Sequence, residues 1–204
     1  MIYKKKNILV IFKFVLIFFL FTNLEAKNIG KFFSGNNYSN YFSGIISLND
    51  DEYQNSYNFF TKLGGLEENH LNYSQNYLQT LVSLNKYTEA YKYSKKLEKK
   101  KLNSFESDLI IGIYYLKNNK LKNAKKYFLK LNNKNSKGSI KNLLSISLIN
   151  WVDFNDLNFE SSLKVINSIN PRYNNLKKIQ TAFLYCYFQD KNTSQVFQNL
   201  VSDK

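Results

Sequence analysis

A single cysteine, Cys186, leaves no partner for an intramolecular disulfide, and with His70 as the only histidine no multi-ligand Cys/His metal site can be assembled. Metal chemistry would fall to carboxylates alone, and neither a metal nor another cofactor is expected. Glycine is scarce, at seven in 204 residues, and proline occurs once. An all-β fold needs many tight turns, which those two residues make most readily, so helices joined by short polar loops are the better expectation. Arginine is nearly missing: Arg172 is the sole one among 29 basic residues. The planar guanidinium fork is what grips phosphate and guanine edges in pairs of hydrogen bonds, so the net charge of +14 does not by itself point to nucleic acid. No glycine-rich phosphate loop, Ser/His/Asp set or HExxH pattern occurs, and the chain is not expected to be an enzyme.

What the chain does contain is 44% apolar and 17% aromatic residues, enough for the buried core of one domain. Its excess of Lys, Asn, Ile, Tyr and Phe is the usage expected of an AT-rich bacterial genome, which accounts for the charge without a function. Cys186 lies in the apolar run from Ala182 to Phe188 and reads as a buried structural thiol. His70, beside Glu67, Glu68 and Asn69, reads as a solvated loop residue. Lys95, Lys96, Lys99, Lys100 and Lys101 read as the solvated end of a helix, complementing the negative pole of its dipole. The pairs Asp50-Asp51 and Glu67-Glu68 fall between helices, where carboxylates serve as caps and first-turn charges.

Residues 1–26 have the layout of a secretory signal: a basic Lys4-Lys5-Lys6, an apolar stretch from Ile8 to Phe21, and Leu24-Glu25-Ala26 as the cleavage site. That stretch is broken by Lys13 and is shorter than the roughly 20 residues of a spanning helix. The mature protein is therefore expected to be exported, to the periplasm or outside the cell. The alternative is an uncut segment that anchors the chain in the inner membrane as an assembly factor recruiting envelope partners. A membrane contact is expected only in that case.

After a linker at 27–36, an internal repeat sets the organisation. Leu121, Ala124, Tyr127, Phe128 and Leu131 lie on one face of a helix. Stepping back 34 residues gives Tyr87, Ala90, Tyr93, Ser94 and Leu97, and another 34 gives Tyr53, Ser56, Phe59, Phe60 and Leu63. Partner helices precede them at about 37–49, 71–84 and 105–118, across short turns at Asn49-Asp50-Asp51, Asn85-Lys86 and Asn118-Asn119-Lys120. Helices joined so tightly must pack as antiparallel hairpins. In the third pair the residues from Leu109 to Leu116 are apolar nearly all round, the pattern of a helix buried between neighbours. Clear repeats are expected at 37–70, 71–104 and 105–138. Two looser hairpins follow in 139–204, with helices at Leu143–Trp151 and Phe159–Ile169, then at Lys177–Phe188 and Ser194–Val201.

Gly112, Tyr115, Ala124 and Phe128 of the third unit, Gly44, Ser56 and Phe60 of the first and Ala90 of the second stand where the tetratricopeptide repeat family has its glycine, tyrosine, alanine and phenylalanine. The chain resembles that family over 37–131, although the family's tryptophan and closing proline are absent and Leu78 replaces the second glycine. The resemblance implies an all-α fold, a right-handed superhelical solenoid of helix-turn-helix hairpins over 37–204, with Gly112 and Ala124 facing one another at a close helix contact. It also implies a protein or peptide partner held on the concave face. Carried over position by position, the groove residues are Tyr38, Tyr41 and Ile45, then Asn72, Gln75 and Gln79, then Glu106, Leu109 and Lys117. No nucleic-acid partner is expected.

Overall fold

The computed structural model describes residues 35–131, 139–154 and 158–202, and among them every regular element is helical. The expected signal at 1–26, most of the expected linker and the end of the expected third repeat lie outside the described residues. The chain divides into two compact units, Met1–Ser39 and Asn40–Lys204, and of the first only the opening turn of a helix is described. The α-helices are α1 (Gly35–Asn49), α2 (Tyr53–Phe60), α3 (Leu71–Ser83), α4 (Tyr87–Lys99), α5 (Phe105–Lys117), α6 (Leu121–Leu131), α7 (Ile140–Asp153), α8 (Phe159–Asn167), α9 (Asn174–Tyr187) and α10 (Thr193–Ser202). From α2 onward each packs against the next in the chain, and α3 also touches α5. The expected helix pairs are therefore present, with one local change: α2 ends at Phe60, and Thr61–Leu63 continues as a single 3₁₀ turn that still buries Leu63.

With so little glycine, the turns within the first three hairpins use asparagine and aspartate in the left-handed conformation. Asp51, Asn85 and Asn119 have φ of 60°, 58° and 57°, and they stand 34 residues apart. Each closes the same pair of capping bonds. The Lys86 N–H donates to the Leu81 carbonyl at 2.9 Å and the Asn85 N–H to that of Val82 at 2.9 Å. The pair recurs as Glu52 to Ser47 with Asp51 to Leu48, and as Lys120 to Tyr115 with Asn119 to Leu116. The short polar side chains of Asn and Asp tolerate this backbone better than other non-glycine residues do. At the starts of α5, α7 and α8 the Ser104, Ser139 and Asn158 side chains accept the N–H of Ser107, Asn142 and Ser161.

The small residues permit close packing, but not between the partners expected. A Cβ placed on Gly112 would lie 2.4 Å from Cε1 of Phe128, and one on Gly44 would lie 2.6 Å from Cε1 of Phe60. Gly112 thus faces the Phe128 ring, not Ala124, which is buried one turn earlier on α6. A methyl-sized residue cannot satisfy a bare glycine as closely as a flat ring can. In the intervening hairpin the equivalent positions carry Leu78 and Ser94, both fully buried. The large and small residues have exchanged helices there. Ser56 is buried as well and shares a 3.0 Å hydrogen bond with Thr80.

Ion pairs and phenols tie successive hairpins together about one repeat apart. Glu67, whose side chain is fully enclosed, receives Lys96 of α4 at 2.5 Å and Lys100, just past the end of that helix, at 3.0 Å, and accepts the Gly65 N–H. Burial alone would raise its carboxyl. The hydrogen bonds from Lys96 and Lys100 outweigh that and bring it down to about 2. Glu98 of α4 is likewise lowered to about 2: burial opposes this, but Lys95, Tyr127 and Lys130, the last two on α6, all donate to it. Glu89 accepts Tyr57 from α2 and Tyr77 from α3. The lysine run is therefore not simply a solvated helix end, since Lys95, Lys96 and Lys100 are held in pairs while Lys99 and Lys101 stay exposed. Glu67 likewise departs from the expected turn charge. A sequence window shows a carboxylate in a turn, but not the two lysines that the following helix folds over it.

Two further expectations change. His70 is the N-cap of α3, its Nδ1 accepting the Tyr73 N–H at 3.2 Å, and its ring lies 4.6 Å from that of Tyr41. Cys186 is exposed, not buried. Helix α9 turns Ala182 and Leu184 inward, leaving Phe183, Cys186 and Tyr187 on its outer side. An unbroken apolar run carries no periodicity to say which side faces in.

Candidate binding cleft

Helices α3 and α5 are the first members of the second and third hairpins, and they run side by side with the start of α4 beneath them. Gln75 of α3 donates to Oε2 of Glu106 on α5 at 3.1 Å, closing one end of the space between them. Beyond that bond the two helices enclose a cleft of about 700 Å³. This size falls in the range of sites that hold a few side chains of a ligand. Its wall is apolar in the middle, where Leu78, Val82, Tyr87, Ile110, Ile113 and Tyr114 meet, and polar at the rim, with Gln79, Ser83, Glu106 and Lys117. Val82, Tyr87 and Ile113 are each more than a third exposed, so three large apolar side chains come to the surface within one depression.

Five of the nine expected groove residues meet here: Gln75, Gln79, Glu106, Leu109 and Lys117. Asn72 is exposed on α3 and lies outside the cleft lining, and Tyr38 is exposed on the part of α1 that belongs to the first unit. Tyr41 and Ile45 do not line a groove. Both pack against the core formed by Leu48, Phe60 and Tyr73, with the Tyr41 ring 6.4 Å from that of Phe60. Helix α1 is rotated so that its exposed apolar residues are Phe42 and Ile46 instead. Of the groove set carried over from the family, the residues on α3 and α5 other than Asn72 line this cleft, and those on α1 do not.

Sequence reasoning missed Val82, Tyr87, Ile113 and Tyr114. The signal was present but pointed the other way. Residues 109–116 are apolar all round because one face packs on α6 and the core while Ile113 faces the cleft, not because the whole helix is enclosed. Tyr114 is steadied from behind by Tyr91, whose ring stacks on it at 3.7 Å and 11°.

The charges at the two ends of the cleft differ in character. Burial works against the Glu106 carboxylate, but hydrogen bonds from its own backbone, Gln75 and Ser104 hold it below the usual carboxylate range, so it is ionised at neutral pH. Lys117, in the last turn of α5, is exposed, and among the described residues no carboxylate is paired with it. The cleft offers an apolar floor, amide and hydroxyl groups along the rim, and one charge of each sign. Among the described residues no helix is long and apolar enough to cross a membrane. No protein-family model matches the chain, and no curated protein or solved structure matches it either.

Proposed function

We propose that this chain is a non-enzymatic scaffold of tetratricopeptide type, its hairpins stacked as a right-handed solenoid, that binds a segment of another protein in the cleft between α3 and α5. The observation that carries this is the convergence of exposed Val82, Tyr87 and Ile113 with the amide side chains of Gln75 and Gln79 in one depression. Amides that both donate and accept suit the backbone of a bound peptide, and the apolar floor suits its side chains. Gln79, exposed on the rim, is the freer of the two, because Gln75 already donates to Glu106.

Ile113→Asp places a charge on the floor at an exposed position, so folding is expected to be kept. Partners recovered by the wild type from an envelope extract should bind the variant at least about tenfold more weakly. They should be retained by Leu129→Asp, a change at an equally exposed residue of α6 outside the cleft. Quantitative mass spectrometry of the captured proteins reads this, with thermal unfolding as the control. Recovery of the same proteins by Ile113→Asp would remove the cleft from consideration.

The same proposal places the protein outside the cytoplasm after cleavage behind Ala26. The intact mass of the mature protein should begin at Lys27. A chain recovered whole from the membrane fraction would favour the anchored alternative.

A further inference from the structure

We infer that the cleft reads charge polarity: it selects an extended peptide segment bearing a cationic residue at the Glu106 end, apolar side chains in the middle and an anionic residue at the Lys117 end. This rests on the reading of the cleft as a peptide site. Glu106 lies in the first turn of α5 and Lys117 in its last, eleven positions apart. At about 1.5 Å of rise per residue the two charges are about 16 Å apart along the axis; the first and fifth residues of an extended segment lie about 13 Å apart at about 3.3 Å per residue, and long charged side chains cover the difference. Between them the lining contributed by α5 is Leu109, Ile110, Ile113 and Tyr114, with no charge.

The two ends stay distinct because neither charge is neutralised in place. Glu106 is held by neutral donors, Gln75 and Ser104, and Lys141, which also favours its ionised form, forms no ion pair with it and lies over the Phe105 ring at 4.7 Å. A carboxylate accepts up to about four hydrogen bonds, so those from Gln75, Ser104 and its own backbone still leave room for a ligand cation. At the far end Lys117 stands without a carboxylate partner among the described residues. General attraction by the basic surface would favour acidic ligands whatever the order of their charges. The cleft instead offers complementarity to a segment of no net charge.

Four capped, fluorophore-labelled probes test this on the full chain by anisotropy: Lys-Leu-Phe-Leu-Glu, Glu-Leu-Phe-Leu-Lys, Lys-Leu-Phe-Leu-Lys and Glu-Leu-Phe-Leu-Glu. One or both mixed-charge probes should bind about fivefold more tightly than either like-charged probe. In Lys117→Glu, a change at an exposed residue, the preference should pass to the probe with two lysines by a similar factor. If all four bind equally to the wild type and Ile113→Asp abolishes binding, the cleft holds peptides but does not read polarity. If the diacidic probe binds best, loses affinity steeply in added salt and tolerates Ile113→Asp, attraction is general and both readings fall. Failure of every probe to bind at about 1 mM would also overturn both.

Discussion

Gly112→Leu should unfold the third hairpin's contact, and Phe128→Ser in the same chain should restore much of what is lost. A Cβ on Gly112 already meets three ring atoms of Phe128, at 2.4, 2.7 and 3.2 Å, and that ring is fully buried with nowhere to swing. Overpacking of this kind costs about 1 to 3 kcal/mol or more. Phe128→Ser alone should cost about 3 to 5 kcal/mol through the cavity it leaves. Together the two changes copy the arrangement of the preceding hairpin, where Leu78 stands at the glycine position and Ser94 at that of the phenylalanine. A double-mutant cycle in urea unfolding should therefore show the double variant losing less than the sum of the singles by about 1 to 3 kcal/mol. Additive losses would show that the hairpins do not share one packing lattice. Ala124→Leu, at another fully buried position of α6, is expected to be destabilising without rescue by Phe128→Ser alone, because Gly112 does not face it.

Glu67→Gln should lower stability by about 1 to 3 kcal/mol near neutral pH and by almost nothing in strong acid. The enclosed carboxylate joins the turn after the first hairpin to Lys96 and Lys100 at the end of α4 and just beyond it, and glutamine keeps its shape but not its charge. Folding holds this carboxyl at about 2 against an ordinary 4.5, so the folded protein favours the ionised form. Its contribution is complete above about pH 5 and disappears as pH falls from there through about 2. The urea midpoints of wild type and variant should accordingly converge on acidification, with the gap open at about pH 7 and nearly closed at about pH 2. A gap that stays constant over this range would mean the carboxylate's charge is not what Lys96 and Lys100 respond to. Glu98 is lowered in the same direction, so the wild type as a whole should weaken over the same acid window.

The helix pairs and the 34-residue register were legible in the amino-acid order because they depend on local properties. A stripe such as Tyr87, Ala90, Ser94 and Leu97 follows from the helical period, and Asp51, Asn85 and Asn119 mark turns by their tolerance of positive φ. Even the looser hairpins of 139–202 begin and end within a few residues of where the apolar pattern placed them. Part of the cleft was legible for the same reason, since Gln75, Gln79, Glu106, Leu109 and Lys117 occupy fixed positions on the register and two neighbouring helices present them alike.

Only the tertiary structure decided how each helix turns about its own axis and what lies across from it. An apolar stripe more than about 100° wide leaves that rotation undetermined, so α1 could bury Tyr41 and Ile45 and expose Phe42 and Ile46, the reverse of the groove assignment. The same freedom turned Cys186 outward on α9 and Ile113 toward the cleft on α5. Partners on different helices, far apart in the chain, are the other undetermined quantity. Glu67 under Lys96 and Lys100, Glu98 under Tyr127 and Lys130, and Gly112 against Phe128 each depend on the spacing and angle between helices. Those are set by the summed packing of whole faces, which no single window of sequence contains.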